Sequence, residues 1–119
     1  MNKLYSLDIL QEIAQGDDAF VQDMITTFID NVSGEAENIR KLMDAGEWQS
    51  VGGIAHKLAP NYAYMDSESL YKLAAEIEMK IKNGSDLTEI TELTRKMYTD
   101  TLVLIDELKK NIQTNIITE

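Results

Sequence analysis

Apolar residues recur every three or four positions along most of the chain, and this spacing is typical of amphipathic helices. The clearest stripe predicts a helix that faces a core with Leu70, Leu73, Ala74, Ile77 and Ile81. Similar stripes predict long helices between residues 17 and 46, from about residue 47, and from about residue 86. Alternating, strand-like patterns are nearly absent. The pattern therefore predicts an all-α protein.

Capping residues and glycines mark where these helices begin and end. The predicted caps are Ser6, Asp17, the Asp66-Ser67 pair and Asp86, the last followed by Glu89 at the spacing of a capping box. Gly16, Gly46 and Gly84 stand at helix ends. Ser6 opens a short first helix whose predicted inward positions are Leu7, Leu10 and Ile13.

The predicted helices are joined by only a few residues, so consecutive helices should run antiparallel. We predict an up-and-down antiparallel four-helix bundle with a short N-terminal accessory helix. The sequence shows no internal repeat, linker or change of composition. Residues 1–119 are therefore expected to form a single domain.

Composition removes several functional classes. The chain carries 21 acidic against 11 basic residues, a net charge of −10, so nucleic acid and membrane surfaces are not expected partners. It has no cysteine, which excludes thiolate catalysis and cysteine-based metal sites. With one histidine, the paired motifs of di-iron bundles and zinc proteases are also excluded, and no metal site is expected. No signal peptide or membrane-spanning stretch is evident, so we expect a cytoplasmic protein.

The single histidine, His56, is predicted to project into solvent from the third helix. The apolar face of that helix is formed by Trp48, Val51, Ala55, Leu58 and Tyr62, and His56 points about 140° from its centre. The residues expected beside it are small or lack an amide hydrogen: Gly52, Gly53, Ala59, Pro60 and Ala63. Two helical glycines cost about 0.8–1.0 kcal/mol each relative to alanine. A bare surface maintained at that cost suggests a face on which a partner protein docks.

An exposed imidazole is a nucleophile near neutral pH. Without an adjacent base, metal or oxyanion donor it makes a poor hydrolase, but it suffices as an acceptor when the partner supplies metal and charge stabilisation. These properties fit a phosphoryl carrier.

The stretch 54–60, Ile-Ala-His-Lys-Leu-Ala-Pro, resembles the histidine-containing phosphotransfer (HPt) domain, whose core reads Ala-His-x-Leu-Lys-Gly. The similarity extends to the turn at residues 46–48 and to Leu73–Glu78 followed by Lys80 and Gly84. The resemblance implies a helical bundle that takes phosphate from a receiver-domain aspartate onto the histidine Nε2 and passes it to another receiver. It implies that His56 is the phosphorylated residue.

Two positions depart from the family pattern. The family commonly has lysine three residues after the histidine, where this chain has Ala59, and glycine at the next position, where it has Pro60. That lysine is credited with pairing the phosphoryl charge. Lys57 is the nearest cation in sequence and is a candidate for this role, although it points about 100° from His56.

The resemblance therefore implies a phosphorelay intermediate and not an enzyme. The expected partners are response-regulator receiver domains, with a hybrid sensor kinase as a further candidate, and Mg²⁺ is expected on the receiver; the chain itself is expected to need no cofactor and to be a monomer. The alternative is an adaptor that cannot be phosphorylated and regulates a receiver by binding it, which the missing lysine motivates. An acidic helical scaffold with an incidental histidine explains neither Gly52-Gly53 nor the motif.

Overall fold

The computed structural model describes residues 4–118, with side chains described as far as residue 112. It contains α1 (Asp8–Ala14), α2 (Asp18–Asp44), α3 (Trp48–Tyr64), α4 (Glu68–Lys82) and α5 (Leu87–Thr118). Residues 4–118 contain no strand. The all-α prediction is confirmed.

The four long helices form the predicted up-and-down bundle. Connections of three or four residues join them, and each long helix packs against two others, with α3 and α4 in the most extensive contact. The short α1 packs on α2 and inserts the fully buried Leu10 into the shared core. The N-terminal accessory helix is thus also confirmed.

The core follows the predicted stripes closely. All five inward positions of α4 are buried, as are Val51, Ala55, Leu58 and Tyr62 of α3. Ile13 differs from its predicted inward position, because its side chain is 49% exposed. The short α1 buries mainly Leu10, so Ile13 lies beyond the packed face.

The predicted caps have different outcomes. The Asp17 carboxylate accepts the Phe20 N–H at 3.2 Å, and the Asp86 carboxylate accepts the Thr88 N–H at 3.1 Å. Ser67 precedes α4, but its buried hydroxyl has no hydrogen-bond partner among the described residues.

The predicted capping box at the start of α5 is half formed. The Glu89 carboxylate lies 2.8 Å from Lys80 Nζ on α4 instead of returning to the backbone of its own helix. This hydrogen bond raises the pKa of Lys80 above its ordinary value. Glu89 therefore connects α4 to α5.

Candidate functional site

His56 lies in the middle of α3, on the side opposite the buried stripe. Val51, Ala55 and Leu58 are almost completely buried, which fixes the rotation of the helix about its axis. The His56 side chain is left 76% exposed. The predicted solvent-facing position of the histidine is therefore confirmed.

Tyr62 anchors the C-terminal half of α3. Its side chain is buried, and its hydroxyl lies 2.8 Å from Oγ1 of Thr101, a buried threonine on α5. Burial raises the pKa of Tyr62 to about 12, although the hydrogen bond with Thr101 opposes this shift. The phenol thus stays protonated at neutral pH and holds α3 against α5.

Glu78 on α4 contacts the histidine directly. Its Oε2 lies 2.7 Å from His56 Nδ1, although the two residues are 22 positions apart in sequence. A carboxylate can only accept this hydrogen bond, so Nδ1 carries the hydrogen. In the neutral imidazole the lone pair then lies on Nε2. This role of Glu78 could not be predicted from the sequence, because a pattern of apolar positions does not show the register of α4 against α3.

An open groove of about 390 Å³ lies between α3 and α4 beside the histidine. It is lined by Gln49, Gly52, Gly53, His56, Glu78, Ile81 and Lys82. Gly53 is exposed, and a Cβ placed on it would meet no atom within 4 Å. The groove therefore has a bare wall on the N-terminal side of His56.

The expectation that Gly52 lies on the exposed face is wrong. Gly52 is buried, and a Cβ placed there would lie 3.4 Å from Cγ2 of Ile81. Gly52 precedes His56 by four residues and lies about 40° from it around the helix axis. Because α4 packs against that flank of α3, Gly52 faces Ile81 instead of solvent.

The remaining residues of the predicted docking face lie toward the C-terminal end of α3. Pro60 and Ala63 are exposed, whereas Ala59 is half-buried and packs against the core. The helix continues through Pro60 as far as Tyr64. Docking of a partner on these residues stays a prediction.

Lys57 points to the other side of the histidine. Its Nζ lies 3.6 Å from Oε2 of Glu35 on α2, while Glu78 approaches His56 from α4. The structure therefore does not bring Lys57 into the groove that contains His56 and Lys82. A role for Lys57 at the phosphoryl group stays a prediction.

The family model of the Hpt domain matches residues 23–114, which include the exposed histidine and its Glu78 partner. The chain belongs to the Hpt domain family. The predicted family is thus confirmed over most of the sequence, including all four helices of the bundle in whole or in part.

The curated relatives of this Hpt domain are distant and much longer. The chain is 22% identical over 106 residues to the virulence sensor protein BvgS of Bordetella parapertussis, and 21% identical to the protein of that name from Bordetella bronchiseptica. Each match covers 88% of this chain but 9% of the relative. No solved structure gives a significant match.

Two structural features are absent from the described residues of the Hpt domain. None of its helices, within the residues described, is long and apolar enough to cross a membrane. The same residues contain no group of three or more histidine, aspartate or glutamate side chains placed to hold a metal ion.

Proposed function

We propose that this Hpt domain is a phosphorelay intermediate that carries a phosphoryl group on His56 between receiver domains. Family membership supports phosphotransfer in a two-component system as the general role. The geometry of His56 supports its assignment as the phosphorylated residue: its side chain is 76% exposed, and Glu78 Oε2 lies 2.7 Å from Nδ1. Nε2 is thereby the ring nitrogen available to a partner.

The proposed transfer is a displacement at phosphorus. The Nε2 lone pair attacks the phosphorus of a receiver aspartyl phosphate, the N–P bond forms, the P–O bond to the aspartate breaks, and the carboxylate leaves with its electron pair. The Nδ1–H remains on the ring and keeps its hydrogen bond to Glu78. The phosphorylated ring is cationic, and the Glu78 carboxylate beside it offsets that charge. Transfer to a second receiver is the reverse of this step.

In the proposal, the receiver domain supplies the metal ion that stabilises the phosphoryl charge. Mg²⁺ bound by the receiver's own carboxylates would neutralise the phosphoryl oxygens during transfer. The open surface around Gly53, Pro60 and Ala63 gives a receiver room to approach the ring. In this proposal the chain contributes an oriented nucleophile and a docking surface.

The adaptor without phosphorylation remains the second candidate. Ala59 provides no cation beside His56, and this observation favours binding without phosphoryl transfer. Receiver binding is common to both functions, so phosphorylation of His56 distinguishes them.

Incubation with receiver domains of the same organism, phosphorylated by acetyl phosphate in Mg²⁺, tests the proposal. Because His56 is the single histidine of the chain, any phosphohistidine must be His56, and its label should be acid-labile and alkali-stable. Labelling that disappears in His56→Gln is the expected result. Receiver binding with no label on the wild-type chain would establish the adaptor instead.

A further inference from the structure

The cation that pairs with the phosphoryl group is missing from its usual position, and α4 offers a replacement. Lys82 is exposed and lines the same groove as His56 and Glu78. None of the other residues that line this groove is a lysine or an arginine. Ala59, the position where the family commonly has lysine, carries no charge.

The negative charge expected in the groove would favour such a cation. A phosphoryl group on His56 brings a charge of about −1.5 to −2 at neutral pH. It would lie beside the Glu78 carboxylate, in a chain whose net charge is already −10. Gln49 is neutral, and Lys57 lies by Glu35 on the α2 side. Lys82 is thus the group in the groove that can offset the added negative charge.

The position of Lys82 allows this contact. It follows Glu78 by four residues, one helical turn of about 5.4 Å, on the same face of α4. The groove wall opposite is formed by Gly52 and Gly53, and Gly53 leaves open space beside it. A lysine side chain extending along this bare wall therefore meets no side chain from those two positions.

Lys82 also differs from many lysines of the domain in its ion pairing. Lys57, Lys72, Lys80, Lys96 and Lys110 each lie within 4.0 Å of a carboxylate oxygen. Within the described residues no such ion pair involves Lys82. Its ammonium group therefore need not leave an existing partner to reach a phosphoryl group.

We infer that Lys82 pairs with the phosphoryl group on His56 and takes over the charge compensation that Ala59 cannot give. This inference rests on the proposed phosphorylation of His56 and names a further residue at that site. Because Gly52 and Gly53 have no side chains, the Lys82 ammonium has an open path along the groove to the phosphoryl oxygens.

The test compares Lys82→Gln with the matched variant Lys57→Gln, which removes the same charge from the other side of the histidine. Each 119-residue protein is phosphorylated with phosphoramidate: the N–P bond to Nε2 forms, the donor's P–N bond breaks, and ammonia leaves. A ³¹P NMR titration then gives the second pKa of the phosphoryl group, and a receiver domain gives the transfer equilibrium.

Lys82→Gln should raise the phosphoryl pKa by about 0.2–0.7 unit, since a nearby cation favours the dianion. It should also shift the transfer equilibrium about two- to fivefold toward the receiver. Lys57→Gln should leave both quantities unchanged. Lys82→Arg should keep the wild-type values, and Ala59→Lys should restore them in the Lys82→Gln background.

Unchanged values in Lys82→Gln would overturn the inference, and a shift confined to Lys57→Gln would assign the charge to Lys57. Equal shifts in both variants would show a general effect of net charge and would also overturn it. Failure of the proposed function is a separate outcome, because the wild-type chain would then form no phosphohistidine with a phosphorylated receiver.

Discussion

The hydroxyl of Tyr62 on α3 lies 2.8 Å from Oγ1 of Thr101 on α5, and both residues are buried. Tyr62→Phe removes one partner and leaves the threonine hydroxyl without this hydrogen bond in the core. We expect the free energy of unfolding to fall by about 1–2 kcal/mol at neutral pH, measured by urea denaturation. Adding Thr101→Val to Tyr62→Phe should lower the free energy of unfolding by less than Thr101→Val does in the wild-type protein. If the losses of the two single variants add fully in the double variant, the two hydroxyls do not interact.

The same tyrosine gives the bundle a pH dependence at alkaline pH. Burial raises the Tyr62 pKa to about 12, whereas an unfolded tyrosine ionises near pH 10. Between these values the unfolded chain releases the proton and the folded chain retains it. The free energy of unfolding should therefore fall as pH rises from about 10 to 12, with a contribution approaching about 1.4 kcal/mol per pH unit.

Denaturation of wild type and Tyr62→Phe across this pH range isolates the contribution, because other tyrosines and lysines titrate alike in both proteins. The difference in stability between the two proteins should shrink with rising pH. A constant difference would show that Tyr62 ionises equally in the folded and unfolded chains.

The caps of α2 and α4 should differ in their contribution to stability. Asp17 accepts the Phe20 N–H, so Asp17→Ala should lower the free energy of unfolding by about 0.5–2 kcal/mol. The Ser67 hydroxyl makes no hydrogen bond within the described residues, so Ser67→Ala should be nearly neutral or stabilising. Equal losses in the two variants would contradict these different roles.

Glu78 should control which ring nitrogen of His56 carries the hydrogen. Glu78→Gln retains an oxygen that accepts the Nδ1–H, so transfer from a phosphorylated receiver should stay within a few-fold of wild type. Glu78→Leu removes the acceptor, and the transfer rate should fall about tenfold. Imidazole ¹⁵N NMR should show the Nδ1–H tautomer in the first variant and a tautomer mixture in the second. Unchanged tautomer and rate in Glu78→Leu would remove the positioning role.

Gly53 provides the test of partner approach, because it is the exposed member of the glycine pair. Gly53→Arg should leave the bundle folded, since a Cβ there meets nothing within 4 Å, but it should strongly reduce receiver binding. Gly34→Arg is the matched control: Gly34 is an exposed helical glycine on α2, outside the groove, with equally open surroundings. Equal receiver binding by the two variants would show that the partner does not approach over Gly53.

The buried Gly52 requires a different expectation. The Cβ of Gly52→Ala would lie 3.4 Å from Cγ2 of Ile81, an ordinary van der Waals contact. The change also removes the conformational cost of a helical glycine. Gly52→Ala should therefore raise the free energy of unfolding by about 0.5–1 kcal/mol. A loss of stability would mean that α3 and α4 approach too closely for a methyl group.

The fold was predictable because each long helix carries its own apolar stripe. The stripe of α4 gave its five buried residues, and the face of α3 gave the outward direction of His56. These properties depend on the rotation of one helix about its own axis.

The relationships between helices were not predictable in this way. The contact of Glu78 with His56 and the burial of Gly52 against Ile81 both depend on how far α4 is shifted along α3. Tyr62 with Thr101, and Lys80 with Glu89, likewise join different helices. Apolar periodicity contains no information about this register, so the sequence identified the histidine but not the carboxylate that orients it.

The most direct test of the proposed relay function follows the phosphoryl group from His56 to a receiver domain. The chain is first phosphorylated, freed of donor, and mixed with an unphosphorylated receiver domain of the same organism in Mg²⁺. Phosphate should leave His56 and appear in equal amount on the receiver aspartate, much faster than phosphohistidine is lost without a receiver. A phosphohistidine whose decay is unaffected by receivers that bind the chain would contradict the relay function and leave the adaptor as the function of this domain.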